Sequence, residues 1–391
     1  MKITQVFPLV GIFAAQTCWA VYAPIPEQEQ GKQFSLRATA GISHDSNIFG
    51  AASNAISSTV YSFAPELILN SSLTDQTFFS SSYKLTIDHF SDRPGDKTLE
   101  SHDLMVRLAH AFTAQTNIDV SDSYTISKNP ESLLAGVPIN TDQSLTRNQA
   151  DGRFVTTLGQ KTSGTIKART VLYRFDNANL ANSLDRSETL FGVELGHAIL
   201  PETKLVGEFR HQTINYSNSG GNKDKQSNFL IGGVDYTVAR KLTATGRVGY
   251  EWRQRDGERS SDAPYVELSA KYDYAEKSYI TTGYIYTLEE TSDVANFNDT
   301  QVNRFFVNVQ HSLSALIVAS GSFNFEPSTL QGRRGVANAD ETTTRFGAAL
   351  SYLINKNWTA SATFDHDKVS SDLASRGQKR DRYGLTAAFT F

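Results

Sequence analysis

The sequence is nearly devoid of cysteine, sparing with proline and almost neutral: one Cys, ten Pro and a net charge of -4 in 391 residues. The single thiol, Cys18, lies in an apolar N-terminal leader, so the mature chain is expected to have neither disulfides nor cysteine metal sites. Its flanks, Ala15 and Thr17, match poorly what precedes a lipidated cysteine. Past the leader no run approaches the roughly 20 apolar residues a spanning helix needs, and mean hydropathy is -0.36. Helices therefore do not carry this chain through a bilayer. So small a net charge also gives no reason to expect nucleic acid or an anionic membrane surface as a partner.

Aromatic residues are plentiful, with 23 Phe and 16 Tyr, and Ser, Thr, Asn and Gly fill much of the rest. Such a composition favours strands and turns over packed helices. The opening MKITQVFPLVGIFAAQTCWAVYA combines basic Lys2, an apolar stretch from Val6 to Ala15 and small residues at Ala20 and Ala23. It reads as a secretory signal over residues 1–23, followed by a short periplasmic leader over 24–33. The alternative, a membrane anchor, is disfavoured because Gln16 and Thr17 interrupt the apolar stretch.

From Phe34 onward the hydropathy alternates with a period of two. Phe34, Leu36, Ala38, Ala40 and Ile42 share one face, and Ser35, Arg37, Thr39, Gly41 and Ser43 share the other. The pattern recurs around Leu242 to Arg253, Val266 to Asp273 and Arg345 to Tyr352. It predicts strands near 34–44, 58–70, 76–90, 99–112, 116–127, 149–158, 164–175, 186–199 and 204–216. Nine more are predicted near 227–238, 241–253, 263–274, 278–289, 300–313, 316–327, 342–354, 358–367 and 380–391. Long polar loops follow odd strands and very short turns follow even ones, as at Ala239 and Arg240 or Asn355 to Asn357. Even strand number, long loops on one side and short turns on the other describe a transmembrane antiparallel β-barrel with extracellular loops and periplasmic turns. The expected architecture is thus all-β, a barrel of eighteen strands over 34–391 in the outer membrane of a Gram-negative bacterium, with sixteen as the alternative count. Pro65 and Pro264 fall inside predicted strands, where each removes a ladder donor and implies a bulge or a locally broken pairing.

A soluble β-sandwich or β-helix would also alternate, but it has no use for aromatic residues gathered at strand ends on the apolar face. Phe112, Tyr236, Tyr250, Trp252, Tyr272, Tyr274, Phe325 and Trp358 sit there, as membrane girdles require. The polar face supplies the candidate pore lining: Arg37, Lys84, Arg107, Lys167, Arg169, Glu194, Glu208, Arg210, Arg247, Glu251, Glu267, Lys271, Arg304, Arg345 and Arg382. Its two signs are near balance, which argues against strong ion selectivity and suits a neutral or weakly charged hydrophilic solute. The longest predicted loop, 128–148, carries the apolar residues Leu133, Leu134, Val137, Pro138 and Ile139, which are expected to fold across the mouth as a constriction.

Histidines recur in LAHAF, LGHAI and VQHSL, as His110, His197 and His311, on strands far apart around a barrel, so interface anchoring is expected rather than a metal site. Asp88-His89 and Asp365-His366 would be catalytic pairs only if neighbours in a strand shared a face, which they do not. No GxSxG elbow occurs. No enzyme activity and no cofactor are expected. The leader also leaves no room for a folded plug ahead of the first strand.

The last strand, RDRYGLTAAFTF, ends on Phe391 and places Tyr383, Leu385 and Phe389 on the same face. It resembles the C-terminal signal that the barrel assembly machinery reads. The opening LRATAGISHDSNIFGAAS, with PESLLAGVPINTDQSLTRN further on, is similar to the putative β-barrel porin type 2 family along the whole mature chain. That resemblance implies a channel for passive export of a secreted exopolysaccharide, with outer-membrane lipid, the polysaccharide and a periplasmic export component as partners. A general diffusion porin and a structural or adhesive surface barrel are the competing expectations.

Overall fold

The computed structural model describes residues 33–128, 144–218, 223–238, 241–256, 260–291, 293–374 and 376–391. Eighteen strands follow in order: β1 (Phe34–Asp45), β2 (Ser58–Thr74), β3 (Thr77–Phe90), β4 (Thr98–Thr113), β5 (Thr116–Ser127), β6 (Leu145–Thr157), β7 (Thr162–Phe175), β8 (Arg186–Leu200), β9 (Thr203–Tyr216), β10 (Lys225–Val238), β11 (Leu242–Arg255), β12 (Ser261–Ala275), β13 (Ser278–Glu290), β14 (Phe297–Ser312), β15 (Ile317–Gly332), β16 (Ala339–Leu353), β17 (Trp358–Ser371) and β18 (Gln378–Thr390). One helix, α1 (Ala178–Leu184), lies between β7 and β8. Each strand pairs antiparallel with its sequence neighbours, and β18 closes on β1 from Arg37↔Thr390 to Asp45↔Arg382. Closure leaves no edge, so every ladder has a partner without help from water.

Connections after even strands are two to four residues long, and the longer ones all gather at the opposite end. Several strands run beyond their predicted ends into the loops: β15 reaches Gly332 and β17 reaches Ser371, shortening the loops that follow them. The prolines break pairing without shifting register. Along β2–β3 the ladder passes from Phe63↔Ile87 to Glu66↔Lys84, skipping Ala64 and Pro65. Pro264 pairs with Tyr250 on β11 and lies beyond the stretch of β12 that pairs with β13, which begins at Val266. Pro327 does the same on β15, where the ladder to β14 omits Glu326 and Pro327.

Apolar side chains point outward. Tyr61, Phe63, Leu67, Phe191, Leu195, Leu230, Val248, Leu268, Phe305, Leu350 and Leu385 are all exposed, in register around the wall. An apolar girdle of this size is stable only against lipid. Among the described residues no helix is long and apolar enough to cross a membrane. Most of the buried apolar residues instead lie at the long-loop end, in small clusters inside the wall.

All eight histidines belong to the outer wall. Near the short turns His110 Nδ1 lies 2.9 Å from Thr77 Oγ1, His197 Nδ1 3.0 Å from Thr162 Oγ1, and His311 Nδ1 3.0 Å from the Tyr274 hydroxyl. Near the long loops His89 meets Thr98, His102 meets Tyr83, His211 meets Asn228, His366 meets Asp381, and the His44 ring packs against Tyr383. Each is held by its own hairpin or a neighbouring strand. Asp88 and His89 do point to opposite faces: Asp88 takes the Ser62 hydroxyl inside while His89 is outside.

Candidate functional site

Alternation places most of the charged residues on the inner face, and pairing across strands determines what they present. Lys167 on β7 bonds Glu194 on β8 at 2.7 Å and Glu208 on β9 at 3.1 Å. Arg210 grips Glu208 with two bonds of 2.8 and 2.9 Å and donates to the Tyr265 hydroxyl at 3.2 Å. Tyr265 in turn donates to Glu267 at 2.6 Å. Between them Phe229, Ile231 and Tyr265 form an apolar seat on β10 and β12. These five ionic groups sit on an arc from β7 to β12, and Glu208 and Arg210 are almost fully buried.

A second assembly lies closer to the long loops. Lys225 on β10, with Arg253 and Arg255 on β11, converges on Glu251, Glu290 and Asp299. Arg253 bonds Glu251 at 2.8 Å and Asp299 more closely, and also donates to the Leu288 carbonyl at 2.9 Å. Arg255 reaches Asp299 at 3.0 Å and the Asn298 carbonyl at 2.7 Å. Lys225 and the Tyr216 hydroxyl both engage Glu290. Three cations therefore meet three anions, with Lys225, Arg253 and Asp299 at 1 to 2% side-chain exposure. Glu290 and Asp299 are the two feet of the β13–β14 connection, so this node pins that connection to β10 and β11.

The pinned connection leans across the mouth. Val294, at its tip, packs into a cluster with Leu145, Val171, Tyr173, Phe175, Ile214 and Tyr216, which belong to β6, β7 and β9. Helix α1 fills the same space with Leu180 and Leu184. Its start is set by Asn177, whose side chain accepts from the Asn179 and Leu180 amides at 3.0 and 3.3 Å, satisfying donors that a helix end leaves open. Asp185 closes the other end and accepts the Phe175 amide at 2.8 Å. Arg333, from the β15–β16 connection, donates to the Val294 carbonyl at 3.0 Å. Lys223 stands over the Tyr216 ring nearby, and burial, reinforced by the Arg333 charge, holds its ammonium below the ordinary lysine range.

The other inward pairs, on the same arc and around the rest of the wall, are simpler, and most are more exposed. Arg107 holds Asp119 with two bonds, Arg169 meets Asp151 at 2.5 Å, and Arg247 meets Asp235 at 2.6 Å. Arg37 and Glu66 stand 3.6 Å apart, Arg382 lies 3.2 Å from Asp367, and Arg345 shares that carboxylate at 3.9 Å. Lys271 and Asp273 form the most open of these pairs at about half exposure. Arg304 is buried and bridges Glu289 and Glu326. Lys84 lies opposite Glu66 and Asp103 in register and has no ion pair among the described residues. Glu251 belongs to the node, as above. All fifteen predicted lining residues thus lie on the inner register, most of them tied to a neighbouring strand.

The apolar group Leu133, Leu134, Val137, Pro138 and Ile139 lies outside the described residues, as do residues 1–32. Where the mouth is described, α1 and the β13–β14 connection narrow it, and neither was singled out by the sequence. Tyr383 and Leu385 are exposed on the outer face, Phe389 packs on Trp358 with centroids 5.1 Å apart, and the Phe391 amide donates to the Leu36 carbonyl at 2.8 Å.

The family described as Putative beta-barrel porin 2 matches residues 34–391. A BenF-like porin from Pseudomonas fluorescens Pf-5 shares the fold at 8% identity and a TM-score of 0.51, covering 92% of this chain and 98% of the porin. The siderophore receptor PiuA from Acinetobacter baumannii does so at 9% identity and a TM-score of 0.51, covering 92% and 82%. No curated protein matches in sequence.

Proposed function

The chain belongs to the Putative beta-barrel porin 2 family, and on that premise we propose that it is a passive outer-membrane channel through which a secreted, largely uncharged polysaccharide leaves the cell. The observation that supports this reading is the compensated inner wall: cation and carboxylate are paired strand by strand, as in Lys167 with Glu194 and Glu208 or Arg107 with Asp119. Paired charges present polar, hydrogen-bonding surface with little net field, which passes a hydroxyl-rich chain and holds neither cations nor anions. The long loops are extracellular in this reading, the short turns periplasmic, and residues 1–23 the export signal.

Narrowing of the mouth by α1 and Val294 favours a second reading, a diffusion porin for small hydrophilic solutes. Deleting the gene and measuring extracellular polysaccharide separates the two. Export predicts polymer retained in the periplasm and restored by the wild-type gene. Unchanged secretion, with liposomes containing the purified protein swelling in small sugars, would leave the diffusion reading standing alone.

A further inference from the structure

Three times in the described ladders, two basic residues are directly opposed across neighbouring strands, an arrangement that costs stability unless something offsets it. Two of these pairs face inward and are answered. Lys225 opposite Arg255 meets Glu290 and Asp299, and Arg153 opposite Lys167 meets Glu194 and Glu208 through the lysine, with Asp119 across the strand. The third, Lys368 opposite Lys379 on β17 and β18, lies on the outward register and is answered only in part. Lys379 is 67% exposed and its one carboxylate, Asp381, stands 3.5 Å away while already holding His366 at 2.6 Å. Lys368 has no ion pair among the described residues. The other outward carboxylates of this sector, Asp340 and Asp372, lie further toward the loops and are engaged by the Thr329 hydroxyl and the Asp340 amide.

Depth identifies what the pair faces. Along the outer face of β17, Trp358, Phe364 and His366 lead up to Lys368, with Tyr383 on β18 opposite Phe364 and Phe346 on β16 opposite His366. From Trp358 to Lys368 are ten steps of about 3.4 Å. At the usual tilt of about 40° they climb roughly 26 Å, the height of a barrel's apolar band. The lysines stand where hydrocarbon ends and headgroups begin, with the Thr344 hydroxyl in register beside Lys368. We infer that Lys368 and Lys379 form a site on the outer wall for the phosphate of an anionic outer-leaflet lipid, whose acyl chains lie along Phe364, Tyr383 and Phe346.

Native mass spectrometry of the detergent-purified full chain, incubated with diphosphorylated lipid A, tests the site. Wild type should retain a lipid adduct that K368Q/K379Q loses about tenfold and K368R/K379R keeps, while single-channel conductance stays the same in all three. Equal retention in K368Q/K379Q would overturn the assignment. So would displacement of the adduct by inorganic phosphate at equal concentration, because the site would then serve a free anion and not a lipid. If the double variant fails heat-modifiable migration, K368Q alone carries the test, with about a threefold loss expected and no loss counting against the site.

Discussion

Asp299 shows how much can rest on one carboxylate. It accepts from Arg253, Arg255 and Ser261 and stands 3.7 Å from Lys225, with about 1% of its side chain exposed. Replacing it with Asn leaves three buried cations facing two carboxylates, and breaking a buried pair by removing one partner typically costs about 3 to 5 kcal/mol. The eighteen ladders do not depend on the node, so the loss should fall on the β13–β14 connection. Asp299→Asn is expected to keep heat-modifiable migration and to raise single-channel conductance in planar bilayers as that connection loosens from β10 and β11. Unchanged conductance would show that the connection does not narrow the path. This node is not legible in the sequence, for a definable reason. Lys225, Arg255, Glu290 and Asp299 each lie one or two residues outside the strands predicted at 227–238, 241–253, 278–289 and 300–313, where the hydropathy pattern reads as loop. Their mutual approach skips β12, which no pattern along one strand can reveal.

Among the elements, the strands were legible because a side chain that meets lipid and one that meets water must alternate wherever the backbone is extended. Every one of the eighteen appears where the period of two placed it, with ends moved by a few residues where ladders continue beyond the hydropathy pattern. Helix α1 was not legible. It is seven residues long, within a stretch read as a polar loop, and its clues are only the Asn177 cap and the spacing of Leu180 and Leu184 on one face. Those two leucines predict its behaviour. Leu180→Ala with Leu184→Ala should free α1 from the cluster, since each truncation of a buried leucine costs about 2 to 5 kcal/mol by lost burial and cavity formation. Proteinase K, which cleaves after alanine as well as larger apolar residues, should then cut within 177–185 in the folded barrel at least tenfold faster than in wild type. Asn177→Ala, which removes only the cap, is expected to cost about 1 kcal/mol and give a smaller acceleration. Equal cleavage in all three proteins would mean that the leucines do not hold the helix.

At the scale of the whole molecule, closure is the decisive event, and the chain's last residue takes part in it. Phe391 and Leu36 exchange backbone bonds at the β1–β18 seam, at 2.8 and 3.4 Å. Removing Phe391 takes away both bonds and the terminal aromatic together, and is expected to lower the amount of heat-modifiable barrel in the membrane fraction severalfold. A truncation that assembles at wild-type levels would show that closure of the seam does not need that residue. The closed wall also has an uneven mechanical character. From β7 to β14 its interior is cross-braced by three-way charge contacts that span several strands, whereas Arg37 with Glu66, Arg382 with Asp367 and the buried Arg380 with Asp45 each join only two neighbouring strands. A tube stiffened along one arc does not dilate evenly under load. It flattens along its compliant side, so if the channel carries a polymer as proposed, the wall would yield to it by taking an oval cross-section whose long axis is set by the braced strands.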